Sequence, residues 1–289
     1  MHRAATALAT LAVLVGCGEE TVASPGEPEP APVANPYDGP MHLEPDYSDT
    51  ASVVDRSGAA GRALECEGEP YNGGGGDYVD GGLESVQGSP QEALVNWLEE
   101  ASWGALPESP YRVERDDGDR VLLSYDVGDK TKIAFIAASG TLDYNDDTGW
   151  GIESWAQCDP AELPEDVAEA LGYEVWEDAS GARIPVAEVR SSPGPEHCDW
   201  QDITFLNLGA DDRNVEQYVR DTDGEFADWT TTRYDGAAVL PEDATDTGFH
   251  REGRGLWLGT RPDAAYLVSL DDPADVERWP AAREQIACG

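Results

Sequence analysis

Positive charge is what this chain has least of. Its 289 residues include 18 Lys and Arg against 59 Asp and Glu, a formal net charge of −41. Only Lys130 and Lys132 are lysines; every other cation is an arginine. A field of that sign repels phosphate, and no basic patch offsets it, so nucleic acid is excluded as a partner. It also repels anionic lipid head groups, so attachment to a membrane has to come from something other than the protein surface. The acidity reads first as solubility, with salt adaptation as the alternative. Scarce lysine beside abundant Ala, Gly, Asp and Glu points to a GC-rich genome, such as that of a high-GC Gram-positive bacterium.

Familiar catalytic signatures are missing too. There is no Gly-x-Ser-x-Gly elbow and no His-Glu-x-x-His. The glycine run Gly73 to Gly76 lacks the Lys-Ser/Thr of a phosphate loop and is expected to be a flexible loop. Histidine is scarce: His42, His197 and His250 are the three beyond the N-terminal residues. His42 falls in a Pro-rich stretch, His197 adjoins Cys198 and His250 lies among charges. A Ser-His-Asp triad assembled from distant residues is not visible at this level.

The apolar run Ala4 to Val15 follows a short positive start at His2 and Arg3. It is too short for a stable span, which takes about 20 apolar residues, but suits the apolar core of a signal peptide. It ends in Leu14-Val15-Gly16-Cys17, which resembles a lipobox. That resemblance implies cleavage before Cys17, whose thiol carries the diacylglycerol anchor. Residues 1–16 are then removed, and the protein sits lipid-anchored on the extracytoplasmic face of the cell membrane.

With Cys17 assigned to lipid, Cys66, Cys158, Cys198 and Cys288 remain. An even set in an exported chain reads as two disulfides, with three pairings open. The favoured one is Cys66–Cys158 with Cys198–Cys288, since each bridge then closes one compact segment. In the chain-entropy picture each is worth about 4–5 kcal/mol.

Composition divides the rest into three parts. Residues 17–60 contain Pro25, Pro28, Pro30, Pro32, Pro36, Pro40 and Pro45 among acidic and small residues, and read as a disordered linker. At about 3.1 Å per residue, such a linker holds the folded part on the order of 100 Å from the membrane. Residues 61–160 are expected to be an α+β domain, one helix on an antiparallel meander. Ser89-Pro90-Gln91-Glu92 supplies the helix start, with Ser89 as N-cap. Strands are expected at 111–115, 120–127, 130–138 and 150–157. Residues 161–289 read as a β-rich domain, with a short helix at 164–171, a hairpin of 173–177 and 183–189 around Asp178-Ala179-Ser180-Gly181, and strands at 202–208, 216–220, 230–234, 255–258 and 264–270. The fold class is therefore α+β, mostly antiparallel β, in two small disulfide-stabilised domains. The stretches Asp246 to Arg251, Leu256 to Leu258 and Val276 to Pro280 resemble a segment of uncharacterised secreted proteins of actinobacteria; no chemistry comes with that resemblance.

Three site readings follow. Asp143, Asn145 and Asp147 have the alternating oxygen ligands that open a calcium loop, although Thr148 stands at the glycine position and Ser154 at the last ligand position. No other cofactor is expected. Nine tryptophans raise carbohydrate stacking, but Trp97, Trp155, Trp176 and Trp200 read as core. The expected function is a non-enzymatic lipoprotein that binds a cell-wall, protein or cation partner. The alternatives are an extracellular hydrolase of wall or glycan substrates, using a carboxylate pair not separable from the other acids, and a calcium-binding surface protein.

Overall fold

The computed structural model describes residues 36–289, apart from 77, 80–81, 84–85, 101–105, 108–109, 142–146, 210–214, 262 and 289. It is mostly antiparallel β, with two disulfides. The first sheet has the order β1-β7-β6-β5-β4, built from β1 (Asn72–Gly75), β4 (Arg112–Asp116), β5 (Arg120–Val127), β6 (Lys130–Thr141) and β7 (Thr148–Gln157). A small hairpin of β2 (Tyr78–Val79) and β3 (Gly82–Leu83) follows β1. Helix α3 (Pro90–Glu100) covers one face of the sheet, packing Trp97 and Leu98 on Leu123, Ile133, Phe135 and Trp155. It begins where its cap predicts, with the Glu92 N–H donating to Ser89 Oγ at 3.2 Å. Helix α2 (Gly58–Ala63) covers the other face, setting Ala59, Ala60 and Ala63 against Leu122, Ala134, Ile136 and Ala156. Two covered faces explain why β5 and β6 read as continuous apolar runs rather than as alternation.

Residues 36–60 were assigned to the linker, yet this stretch is packed on the sheet. Met41 is buried, α1 (Val53–Arg56) leads into α2, and the Tyr37 N–H donates to Glu114 Oε1 at 2.7 Å. Glycine lets α2 turn back tightly on α1; a Cβ on Gly61 would come 2.9 Å from Val54 O. The glycine run is not a loop but strand β1, paired with β7 from Asn72↔Gln157 to Gly75↔Ser154. A side chain at Gly73 would meet Ser57 Oγ at 2.3 Å and Trp155 O at 2.6 Å, so only glycine fits.

Two sheets make up the remainder. One runs β12-β11-β10-β8 and the other β16-β15-β14-β13-β9. The first comprises β8 (Glu174–Val175), β10 (Val189–Pro193), β11 (Thr204–Leu208) and β12 (Glu216–Arg220). The second comprises β9 (Glu177–Asp178), β13 (Thr245–Arg251), β14 (Arg254–Leu258), β15 (Ala264–Ser269) and β16 (Val276–Pro280). Helix α4 (Glu165–Ala170) precedes them. Val189, Leu206 and Tyr218 from one sheet meet Leu256, Leu267 and Trp279 from the other, with Trp176 among them. The arrangement is a β-sandwich with a shared apolar core.

The expected hairpin around Asp178 is half right. The turn is present, with the Gly181 N–H donating to Asp178 O at 2.9 Å. Its arms pair beside the turn, where the Asp178 N–H donates to Ala182 O and the Ile184 N–H to Trp176 O, both at 2.8 Å, around the bridge Glu177↔Arg183, but the ladder does not continue beyond them. Instead β8 pairs with β10 and β9 with β13, so the chain changes sheets at Trp176. Residues 230–234, expected as a strand, form a bend with one bridge, Thr230↔Ala282. Strands β13 and β16 were not anticipated as strands, and β10 lies beyond the expected end at Val189.

Candidate functional site: a charged end to the sandwich

Side chains on a strand alternate between faces, so a residue two positions from a core residue points the same way. Six strands of the sandwich, and β8 together with the Trp176 that follows it, obey this rule with a change of chemistry. Tyr218 is core and Arg220 follows it on β12; Leu256 is core and Arg254 precedes it on β14; Trp279 is core and Glu277 precedes it on β16. Likewise Val189 leads to Ser191, Leu206 to Thr204, Phe249 to Arg251 and Trp176 to Glu174. The inward faces thus switch from apolar to polar at one end of the sandwich. These seven residues surround a cavity of about 330 Å³.

The cavity is balanced in charge, unlike the chain around it. Arg220, Arg251 and Arg254 face Glu174, Glu252 and Glu277. Two carboxylates are fixed from behind. The Trp176 indole donates to Ser191 Oγ at 3.1 Å, and Ser191 Oγ donates to Glu174 Oε2 at 2.6 Å. The Trp279 indole donates to Glu277 Oε2 at 2.9 Å. The arginines hold these two carboxylates at longer range: Arg251 to Glu174 at 3.5 Å, Arg220 to Glu277 at 3.6 Å and Arg254 to Glu277 at 3.3 Å. Their shorter contacts are to the rim, Arg251 to Glu252 at 2.9 Å and Arg254 to Asp275 at 3.0 Å. The Arg220 guanidinium also lies 5.8 Å from the Tyr234 ring centre. Burial, with the Glu277 carboxylate beside it, raises the Tyr234 hydroxyl above its ordinary pKa.

A larger cavity, about 770 Å³, lies against both lysines, Glu162, Asp159 and Arg183. Its polar walls are joints between segments. Lys132 Nζ donates to Glu162 at 2.5 Å and to Glu65 O at 2.9 Å. Asp159 accepts from the Ala161, Val186 and Ala187 N–H groups. These short contacts between buried partners mark a structural seam.

The residues singled out from the sequence are scattered. Cys17 lies outside the described residues, as do Asp143 and Asn145; Asp147 is described and exposed. The disulfides pair as favoured, Cys66–Cys158 and Cys198–Cys288, with Cα separations of 5.3 and 6.5 Å. His42, expected in the linker, has Nδ1 2.6 Å from Glu153 and Nε2 3.3 Å from Glu44. Glu153 is in turn held by Arg120 Nε at 2.9 Å. His197 Nε2 lies 3.1 Å from Cys288 Sγ, and His250 sits in β13. The acidic turn at Asp221 has its carboxylate engaged by the Gly224 and Phe226 N–H groups, both at 2.7 Å, which is a structural role. Trp155, Trp176 and Trp279 are buried, Trp97 packs on Phe135, and Trp200 packs on Phe226, so these rings are core. The charged end of the sandwich was not anticipated. Its signal was strand parity: Glu277 shares a face with Trp279, and Arg220 with Tyr218.

No protein-family model, no curated protein and no solved structure matches the chain.

Proposed function

We propose that this is an exported bacterial lipoprotein of actinobacterial type, anchored through Cys17, that binds a small polar ligand at the charged end of its sandwich. One observation carries the reading: seven inward-facing positions turn polar together around a cavity of about 330 Å³. That volume lies at the low end of small-molecule sites, and convergent polar groups on rigid strands are how such sites orient a ligand. The lipid on Cys17 supplies the membrane attachment that a chain of charge −41 cannot obtain from its surface.

The test is ligand-observed NMR of the purified full chain with a small-molecule extract of the cell envelope. Components that bind the wild type and lose binding in Arg251→Gln support the reading; identical binding by both proteins sinks it. The anchor is tested separately, since Cys17→Ala should move the protein from the membrane to the soluble fraction.

A second reading is hydrolysis, favoured by two glutamates, Glu174 and Glu277, in one cavity. It predicts glycan cleavage that either Glu→Gln change abolishes. Calcium binding at Asp143, Asn145 and Asp147 is a further proposal. Calorimetry with millimolar calcium tests it, with no heat and no melting shift as the negative result.

A further inference from the structure

We infer that the ligand of this cavity is a zwitterion: a free amino acid or short peptide carrying an ammonium and a carboxylate. The inference rests on the reading of the cavity as a ligand site and adds the chemistry of what fills it. Its first support is the balance of charge. Three arginines and three glutamates line one cavity in a chain whose acids outnumber its cations more than threefold. A simple anion is repelled by the surrounding field, and a simple cation is attracted to the whole surface without selectivity. A ligand of zero net charge with both signs feels neither effect at long range and is sorted only inside the cavity.

The second support is how the two signs are presented. Glu174 and Glu277 are held in place from the core by Ser191 and the Trp279 indole, so they are pre-positioned acceptors for an ammonium group. Arg251 and Arg254 make their shorter ion pairs with rim acids, Glu252 and Asp275, whose side chains are 76% and 45% exposed. The arginines themselves are 13% and 27% exposed, so the solvent-facing acid is the exchangeable partner of each pair. A ligand carboxylate entering the cavity replaces them with a charge-assisted bond in a drier place, and the planar guanidinium fork matches a carboxylate. The third support is size. At roughly 30 Å³ per water, about 330 Å³ holds the equivalent of about eleven waters, the scale of an amino acid or dipeptide.

The experiment is calorimetry and tryptophan fluorescence on the full chain, titrated with the standard L-amino acids and their dipeptides with glycine. The N-acetyl and C-terminal amide forms of each binder, and N-acetylglucosamine, complete the set. The expected result is saturable binding by at least one zwitterion. Blocking either terminus should weaken it about tenfold or more, as should Arg251→Gln or Glu277→Gln. Arg220→Gln at the more exposed edge provides a variant with less risk to folding, and melting curves verify that each protein is folded. If N-acetylglucosamine or the blocked forms bind equally well and Arg251→Gln abolishes that binding, the cavity is a ligand site and the zwitterion is wrong. If no member of the panel binds, the zwitterion is overturned while the envelope-extract test still decides the site. If binding survives all three substitutions, both readings fall.

Discussion

The first sheet and the sandwich solve the same packing problem with opposite treatment of charge. Strands β5 and β6 are apolar through their middles on both faces, closed by α3 on one side and α2 on the other. The buried charges of that half, Glu153 and Lys132, tie segments together through short contacts to Arg120, His42 and Glu162. The sandwich is apolar at one end and charged inside at the other, with its inner ion pairs at 3.3 to 3.6 Å. Well-packed apolar residues in place of a buried ion pair are often neutral or stabilising. The charged layer is therefore not explained by folding, whereas the charges of the first half are. That difference, rather than cavity size, is the ground for proposing the smaller cavity as the ligand site.

The comparison can be tested by substitution, beginning with the largest effect. Phe135→Ala empties a site that is fully buried against Trp97, Tyr111 and Trp155. Urea unfolding should show a loss of about 3–5 kcal/mol, while ligand binding by the folded protein stays unchanged. A binding defect in folded Phe135→Ala would blur the division between the halves.

Next come the disulfides. Their sequence separations, 92 and 90 residues, give them nearly equal chain-entropy value, and removing either should cost about 2–5 kcal/mol. Access separates them by one sulfur, because Cys158 is fully buried while its partner Cys66, like Cys198 and Cys288, is partly exposed. Mild reductant followed by alkylation and peptide mapping should therefore label Cys198 and Cys288 first. Equal labelling rates would show that the first half opens as readily as the second.

Asp159→Ala removes three bonds and leaves the buried Val186 N–H without its acceptor, a loss of about 1–3 kcal/mol. Burial outweighs those N–H groups and raises the Asp159 carboxyl above its ordinary 3.8. The folded state thus binds this proton more readily than the unfolded one. Its favourable contribution is full below the ordinary value and is lost as pH rises through the raised one. Asp159→Asn should flatten that part of the stability–pH curve, and an unchanged slope would remove Asp159 as its source.

The smallest expected effect on stability is the most telling for function. The double change Arg251→Met with Glu174→Leu should be neutral, or stabilising by about 1 kcal/mol, while abolishing binding. A large loss of stability would mean that the charged layer holds the sandwich together after all.

Much of the architecture could be read from the residues. Strands β5 and β12 begin and end where alternation and turns placed them, and α3 starts at its Ser89 cap. What escaped was carried by residues without periodicity. Helix α2 is glycine and alanine apart from Arg62, and strand β1 is asparagine and glycine, so neither gives a large apolar face to count. Met41 and Tyr37 were hidden by the prolines around them. The charged layer escaped for another reason: an Arg or Glu on an alternating strand reads as a solvent-facing residue. Only the parity of a neighbouring tryptophan or tyrosine reverses that reading, and the pairing that fixes parity comes from strands distant in sequence.

The two disulfides also decide how this protein bears a mechanical load. A pull applied between residues 36 and 288 follows the covalent path through Cys66 to Cys158, then through Cys198 to Cys288. Residues 67–157 and 199–287, which include the whole first sheet and strands β11 to β16, lie outside that path. Only 36–65 and 159–197 can lengthen under tension, so the chain can yield at its seams while β5, β6, β14 and β15 stay off the covalent load path.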